Sequence, residues 1–165
     1  MQLIQLKLYV KGDVDMPTNQ FTMQDPRSQY QMGRTEKDSD QPDPGLDEIL
    51  KPKADHGEDT YVGSDRLKGR KALITGGDSG IGRAVAIAFA REGADVVINY
   101  LASEEADAKE TLDILKASGN KAWGIAGDIS DENFCNDLVA QSVENLGSID
   151  ILVNNAGKQQ FVAEL

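Results

Sequence analysis

Apolar residues recur between residues 71 and 154 in a pattern that alternates between two kinds of segment. Short, near-continuous apolar runs such as residues 96–98 and 151–153 are typical of strands buried on both faces. The longer segments between them have the period of an α-helix. The pattern predicts four strands and three helices, in alternation: strands over 71–75, 94–99, 121–126 and 150–154, and helices over 80–92, 103–118 and 130–145.

This alternation predicts a doubly wound α/β fold of the Rossmann type, with a parallel sheet and right-handed crossovers. We expect residues 66–165 to supply its first four strands in the order 3-2-1-4. Ser103 is placed to cap the second helix, Gly119 to end it, and Gly147 to end the third.

Residues 1–65 do not share the pattern. They contain the chain's prolines and 13 acidic residues against seven basic ones. This composition predicts a polar, acidic N-terminal extension that does not fold alone. The alternative is an arm that packs on its own or a neighbouring subunit through Phe21, Tyr30 and Tyr61. Residues 1–15 are less polar than residues 16–65, which makes Met16 a candidate for the natural start.

The first predicted strand runs into a glycine-rich turn, TGGDSGIG, at residues 75–82, and the turn opens a helix. Gly76 permits a tight turn, Gly80 lets the backbone approach a pyrophosphate, and Gly82 lets the helix pack closely on the strand. The N–H groups and the positive end of the helix dipole then face the phosphates. We therefore expect Gly76, Asp78, Ser79, Gly80, Ile81 and Gly82 to form a dinucleotide-phosphate site.

Two further motifs follow the third and fourth strands, at the edge of the sheet where cofactors bind in open α/β folds. Asp128 and Ile129 are placed to contact an adenine, although Asp128 could instead cap a loop. Asn155, Ala156 and Gly157, within NNAG, are expected beside the nicotinamide-side ribose. Asparagine amides here would also tie adjacent strands together.

Charge and composition exclude several classes of function. The net charge of −11 argues against nucleic acid or an anionic membrane as a partner. Cys135 is the single cysteine and His56 the single histidine, so neither a disulfide nor a zinc site is expected. No segment has the roughly 20 apolar residues that span a bilayer. We expect a cytoplasmic protein.

The three motifs, in this order and spacing, resemble the short-chain dehydrogenase/reductase family. The similarity is closest to its branch with a long N-terminal extension, which includes general stress proteins and glucose/ribitol dehydrogenase-like enzymes. Residues 63–97 and the Gln159-Gln160 pair look like that branch. Residues 60–165 are well covered by the resemblance, and the extension is covered loosely, through residues 25–30.

The resemblance implies hydride transfer between a nicotinamide cofactor and a small-molecule alcohol or carbonyl substrate, in a homo-oligomer, a tetramer by resemblance. In the family, a Ser and a Tyr-x-x-x-Lys pair act on the substrate oxygen. No tyrosine of this chain has Lys four positions later. We therefore assign no catalytic residue here and expect that part beyond residue 165. The alternative is a non-catalytic, truncated nucleotide-binding remnant or an incomplete gene product.

The end of the second strand indicates the choice of cofactor. Asn99 and Tyr100 are expected to border the adenine ribose, and no carboxylate follows until Glu104. An acidic residue there would favour NAD, so its absence favours NADP over NAD. Arg83 is a candidate partner for a 2′-phosphate, the alternative being a solvated helix residue. Asp78 would repel that phosphate if it pointed towards it.

Overall fold

The computed structural model describes residues 19–22 and 53–158. The predictions for Met16, Tyr30, residues 25–30 and the Gln159-Gln160 pair lie outside these residues. The described elements, in chain order, are β1 (Lys71–Thr75), α1 (Gly80–Arg91), β2 (Asp95–Tyr100), a 3₁₀ turn (Ala102–Glu104), α2 (Glu105–Ala117), β3 (Ala122–Ala126), α3 (Glu132–Leu146) and β4 (Ile151–Val153).

The four strands form one parallel sheet in the order β3-β2-β1-β4, as the sequence predicted. β1 lies at the centre, with Leu73 opposite Val97 of β2 on one side and Leu152 of β4 on the other. The order of the strands reverses at β1, between β2 and β4, which makes a switch point at the carboxyl ends of the strands. A crevice for a ligand is expected there in an open α/β sheet.

Helices cover the sheet on both faces. α1 and α2 bury Ile87 and Leu115 on one face, against side chains that include Ile74 and Ile98. On the other face α3 buries Leu138 and Leu146, against Leu73, Val97 and Ile125. The central strands therefore bury both of their faces, which explains the continuous apolar run at residues 96–98.

β4 departs from the prediction of a strand buried on both faces. Leu152 is 54% exposed, although its neighbour in the register, Leu73, is fully buried. Alternation along the strand places Leu152 on the α3 side of the sheet. α3 packs over β2 there, so the side chain of Leu152 remains in contact with solvent.

The helix ends agree with the prediction in two cases of three. Gly119, two residues after the end of α2, and Gly147, directly after α3, both have positive φ, at 86° and 84°. The prediction for Ser103 is wrong, because this residue lies inside the 3₁₀ turn, ahead of α2. Instead, the Glu104 carboxylate accepts a hydrogen bond from the backbone N–H of Leu101, at 3.1 Å.

Residues 53–66, which we call the N-terminal segment, contact α1 and the residue that follows it. The Tyr61 hydroxyl donates to the Glu92 carboxylate at 2.6 Å, directly after the last turn of α1. Ser64 N–H and the Arg66 guanidinium donate to the same carboxylate. The idea of an arm that packs on its own domain therefore holds for Tyr61. It fails for Phe21, whose side chain is 75% exposed. The domain boundary at residue 65 stays a prediction.

Candidate functional site

The glycine-rich turn joins β1 to α1 at the switch point. Gly76 and Gly80 adopt positive φ angles of 61° and 50°, which side chains other than glycine rarely tolerate. Ser79 precedes the helix in an extended conformation, and its side chain makes no capping hydrogen bond to α1. The first turn of α1 also carries no acidic residue. This end of the helix can therefore receive an anion.

Gly82 has a packing role that explains the absence of a side chain. A Cβ atom at this position would lie 1.8 Å from the carbonyl oxygen of Gly76 and 2.6 Å from Nδ2 of Asn155. Both distances are far below any real contact. α1 can therefore approach β1 and the end of β4 only because residue 82 is glycine.

The end of β4 is tied to the end of β1 by a set of short hydrogen bonds. The Asn155 side-chain amide donates to the carbonyl oxygens of Thr75 and Gly76, at 3.1 and 2.9 Å. In return, the Thr75 hydroxyl accepts from the backbone N–H groups of Asn155 and Ala156, at 3.0 and 3.1 Å. The expectation that an asparagine amide ties adjacent strands together is confirmed for Asn155.

Asn99 performs the same task between β2 and β3. Its side chain is buried, and its amide donates to the carbonyl oxygens of Ile125 and Gly127, at 3.1 and 3.0 Å. The next residue, Tyr100, donates its hydroxyl to the Glu105 carboxylate at 2.9 Å. Burial and this carboxylate raise the pKa of Tyr100 to about 12. The phenol is therefore fully protonated at neutral pH.

Asp128 follows β3 and closes a small turn. Its Oδ1 accepts from the backbone N–H of Ser130 at 2.8 Å, which lowers the pKa of the carboxyl. The alternative prediction, that Asp128 caps a loop, is therefore correct for Oδ1. The side chain remains exposed and, together with Ile129, also lines a groove at this edge of the sheet.

These chain segments enclose a groove of about 720 Å³ along the carboxyl edge of the sheet. The volume lies within the range of pockets that bind small molecules and cofactors. The groove brings together ten of the 13 residues predicted for the site: Gly76, Asp78, Ser79, Asn99, Tyr100, Asp128, Ile129, Asn155, Ala156 and Gly157.

Three predicted residues, Gly80, Ile81 and Gly82, do not line the groove. Gly82 faces inward, towards Gly76 and Asn155, and the side chain of Ile81 is 77% exposed. Five lining residues were missed: Leu101, Glu104, Gly127, Ser130 and Lys158. Each closely follows a predicted strand or motif, so extending the motifs by a few residues would have found all five.

Asp78 is the most unusual polar residue of the groove. It is 2% exposed, and burial raises the pKa of its carboxyl to about 6. Its own backbone N–H and the Ser79 hydroxyl donate to the carboxylate. Oδ2 has no hydrogen-bond partner among the residues that the structure describes. A ligand in the groove could supply that partner.

The structure contradicts both roles that were predicted for Arg83. It is neither a solvated helix residue nor a lining residue of the groove, because it is 3% exposed and turns towards the N-terminal segment. Its guanidinium pairs with Glu58 at 3.0 Å and with Glu110 of α2 at 3.1 Å. A side chain held by two carboxylates in this way is not available to a 2′-phosphate in the groove.

The same ion pairs border a second, smaller cavity of about 350 Å³, which includes His56. The ring of His56 lies 3.0 Å from the carboxylate of Glu58. Within residues 19–22 and 53–158, no group of His, Cys, Asp and Glu side chains could hold a metal ion. Across those same residues, no helix has the length and apolar character needed to cross a membrane.

Comparison with known proteins places the fold and its motifs in a family. The family model for short chain dehydrogenases matches residues 70–165, which contain the four described strands and the whole groove. This chain belongs to the short chain dehydrogenase family. The resemblance recognised in its glycine-rich turn and in residues 154–157 is thereby confirmed.

Similar relatives support the branch as well. The chain is 59% identical over 122 residues to the uncharacterized oxidoreductase YhxD of Bacillus subtilis, covering 74% of this chain and 41% of that protein. It is 51% identical over 116 residues to general stress protein 39 of B. subtilis, with 70% and 40% coverage. It is 43% identical over 121 residues to glucose and ribitol dehydrogenase of Daucus carota, with 70% and 42% coverage. The chain thus spans about two-fifths of the length of these relatives.

Solved structures of the family share the fold. A short chain dehydrogenase of Burkholderia cenocepacia in complex with NADP is 43% identical, with a TM-score of 0.54, over 56% of this chain and 38% of that one. Carveol dehydrogenase of Mycobacterium avium in complex with NAD is 34% identical, with a TM-score of 0.53, over 57% and 38%. A nicotinamide cofactor is therefore common to these structural neighbours.

Proposed function

We propose that this chain forms the cofactor-binding half of an NAD(P)-dependent oxidoreductase that interconverts an alcohol and a carbonyl compound. The observation that carries the proposal is the groove itself. It joins the glycine-rich turn to the ends of β2, β3 and β4, at the switch point of the sheet. Membership of the short chain dehydrogenase family supports the same activity.

The residues of the groove fit a dinucleotide. The positive end of the α1 dipole faces the groove, and the small residues Gly76 and Gly80 present little steric bulk to a pyrophosphate there. A Cβ atom at Gly80 would meet nothing within 4 Å, so the space beside this residue is open. The unpartnered Oδ2 of Asp78 suits a ribose hydroxyl. When bound, the nicotinamide ring would accept or supply the hydride.

The remaining residues would orient the cofactor. Asp128 and Ile129 are proposed beside the adenine, and Asn155, Ala156 and Gly157 beside the nicotinamide-side ribose. Asn155 and Asn99 would act largely through the backbone, since their amides hold strand ends in place. A fixed backbone at these ends keeps the groove at the width that a dinucleotide needs.

Our proposal for the cofactor is NADP rather than NAD. No acidic residue occupies positions 99–101 at the end of β2. A relative, NADPH-dependent aldehyde reductase 1 of Arabidopsis thaliana, is 39% identical over 130 residues, which supports this preference. Asp78 and Glu104 weigh against it, because both line the groove and a carboxylate repels a 2′-phosphate.

The catalytic Ser and the Tyr-x-x-x-Lys pair of the family are proposed to belong to a further part of the complete protein. Tyr61 and Tyr100 are held by Glu92 and Glu105, and neither is followed by Lys four positions later. We propose that the chain alone is inactive. The complete protein would be a homo-oligomer, a tetramer by family resemblance, and would act in the cytoplasm on a small-molecule alcohol or carbonyl compound, without nucleic-acid or membrane partners.

Calorimetric titration of the chain with NADP⁺ and NAD⁺ tests the first part of this proposal. We expect saturable binding of at least one dinucleotide, and weaker binding to a Ser79→Trp variant, whose side chain would fill the groove beside the turn. Ala117→Trp, on an exposed position at the end of α2, is the matched control. Binding that survives Ser79→Trp unchanged would contradict the assigned groove.

Turnover assays distinguish the enzyme from the alternative of a non-catalytic nucleotide-binding remnant. The chain as given is expected to show no oxidation of sugar alcohols and no reduction of aldehydes, in preparations free of host reductases. A natural protein that continues into a Ser and a Tyr-x-x-x-Lys should show both cofactor binding and turnover. A natural protein without them would bind cofactor at most, and the enzymatic proposal would then be wrong.

A further inference from the structure

Asp78 occupies a decisive position in the groove. It lies in the glycine-rich turn, opposite the end of β2 and the 3₁₀ turn that follows it. In folds of this type the ribose 2′ position of the cofactor is recognised at the end of the second strand. Asp78 is therefore a buried carboxyl group that lines the same groove as the end of β2.

The hydrogen bonds around Asp78 leave one oxygen for a ligand. Its own backbone N–H and the Ser79 hydroxyl serve the carboxyl group, while Oδ2 has no hydrogen-bond partner among the described residues. Thr111 of α2 donates to the backbone carbonyl of Asp78 at 2.8 Å, so the main chain here is fixed. A buried polar atom without a partner, at the wall of a ligand groove, indicates that the ligand completes it.

The groups that face Asp78 are mostly acidic. Glu104 of the 3₁₀ turn and Asp107 of α2 act on it electrostatically, and so does Tyr100 of β2, a neutral phenol. From the other end of the groove, Lys158 is the lining cation. Arg83 of α1 is turned away, towards Glu58 and Glu110. The two facing carboxylates and burial both favour the protonated form of Asp78.

We propose that Asp78 selects between NAD and NADP through its own protonation state, an inference that rests on the proposed cofactor-binding function. As a carboxylate, Asp78 accepts a hydrogen bond from the 2′-hydroxyl of NAD and repels the 2′-phosphate of NADP. As a carboxylic acid, it donates a hydrogen bond to a phosphate oxygen and admits NADP. The preference of one groove thus changes with pH.

The protonation equilibrium of this group falls in the range where the change would occur. Burial raises the pKa of Asp78 to about 6, so both forms are present just below neutral pH. The 2′-phosphate of NADP has a second pKa of about 6 as well. A pH dependence of NADP binding alone would therefore not identify Asp78, and the experiment needs a variant that lacks its charge.

The test is calorimetric titration of the full chain with NAD⁺ and NADP⁺ between pH 5 and pH 8. For the wild type we expect the ratio of the NADP⁺ to the NAD⁺ dissociation constant to rise about tenfold over this range, the effect of one like charge. In Asp78→Asn, which cannot ionise, the ratio should keep only the change due to the phosphate itself. Asp113→Asn, an exposed position of α2 outside the groove, is the matched control and should behave as the wild type.

The outcomes separate this inference from the proposed function. If both cofactors bind and Asp78→Asn has the same pH profile as the wild type, Asp78 is not the selector, while the cofactor-binding function stands. If neither cofactor binds at any pH, the proposed function fails and the inference fails with it. Should Asp78→Asn not fold, carbon-13 NMR of the wild-type carboxyl decides. NADP⁺ should raise the pKa of Asp78 and NAD⁺ should lower it, and equal shifts would overturn the proposal.

Discussion

At the scale of single residues, the buried carboxyl group of Asp78 lowers the stability of the fold at neutral pH. Its carboxyl has a higher pKa in the folded chain than the ordinary value of 3.8. Between pH 4 and pH 6 the folded state therefore binds more protons than the unfolded state, and stability falls as the pH rises. The cost is fully present above pH 6 and absent below pH 4.

Replacement of this group should therefore stabilise the protein at neutral pH. We expect Asp78→Asn to raise the free energy of unfolding by about 1–2 kcal/mol at pH 7.5, because the variant removes a buried charge that neighbouring carboxylates repel. Urea unfolding at pH 7.5 and pH 4 measures this, and the difference from the wild type should vanish at pH 4. A variant less stable than the wild type at pH 7.5 would contradict the assigned cause.

Gly82 gives a second test at this scale. The methyl group of Gly82→Ala would collide with the Gly76 carbonyl oxygen and the Asn155 amide. We expect a loss of about 2–3 kcal/mol in the free energy of unfolding, together with weaker cofactor binding, because α1 must move away from the sheet. The control is Gly147→Ala, which meets nothing within 4 Å and bears only the cost of its positive φ, about 1–2 kcal/mol. Equal losses would contradict the packing role.

At the scale of elements, the ends of β1 and β4 depend on one hydroxyl group. Thr75→Val keeps the shape of the side chain but removes the acceptor of two backbone N–H groups. We expect a loss of about 1–3 kcal/mol in stability, as for other unpaired buried donors, and a lower affinity for cofactor. Thr75→Ser retains the hydroxyl and should preserve most of the affinity. Calorimetry on the pair decides whether the hydroxyl or the methyl group matters.

The N-terminal segment is the second element whose attachment can be tested. The Arg66 guanidinium and the Tyr61 hydroxyl hold the pKa of Glu92 far below its usual range. A carboxyl whose folded-state pKa is depressed stabilises the fold above its unfolded pKa, about 4.3, and loses that contribution as the pH falls towards the folded value. Acid should therefore release this segment from α1.

Limited proteolysis measures that release. Glu92→Gln should increase cleavage within residues 53–66 at pH 7, because the amide presents N–H groups to the donors of Tyr61 and Arg66. Glu144→Gln, at an exposed position of α3, should leave the cleavage rate unchanged. If both variants are cleaved at the wild-type rate, the Glu92 contacts do not hold the segment.

The sequence predicted the elements well because each has a strong local signal. Alternating strands and helices, and the glycine-rich turn, depend on neighbouring residues only. The directions of Arg83, Leu152 and the N-terminal segment could not be predicted, since each depends on contacts between distant parts of the chain. Glu58 of the N-terminal segment forms an ion pair with Arg83 of α1, and the Glu92 carboxylate accepts hydrogen bonds from residues 61–66. Composition alone assigned those residues to an extension.

At the scale of the whole molecule, the α3 side of the sheet exposes apolar side chains near β4. Leu152 of β4 is exposed on the α3 side of the sheet, and α3 itself exposes Val139 and Val143. Because apolar side chains on a sheet edge promote association, we expect the chain to self-associate with rising concentration. Leu152→Thr should reduce this in analytical ultracentrifugation, while Val62→Thr, a similar loss of apolar surface on the N-terminal segment, should not. Equal behaviour of both variants would contradict a role for β4.

The bonds between Thr75 and Asn155 join residues 80 positions apart. During synthesis, the glycine-rich turn leaves the ribosome long before β4. The residues after β4 that bond to Thr75 and Gly76 have not yet been synthesised at that point. Closing so long a loop is slow, because its entropy cost is offset only when β4 docks beside β1 and forms its contacts there. The groove is therefore incomplete until β4 has docked beside β1, and a dinucleotide would bind to a site that is already folded rather than guide its folding.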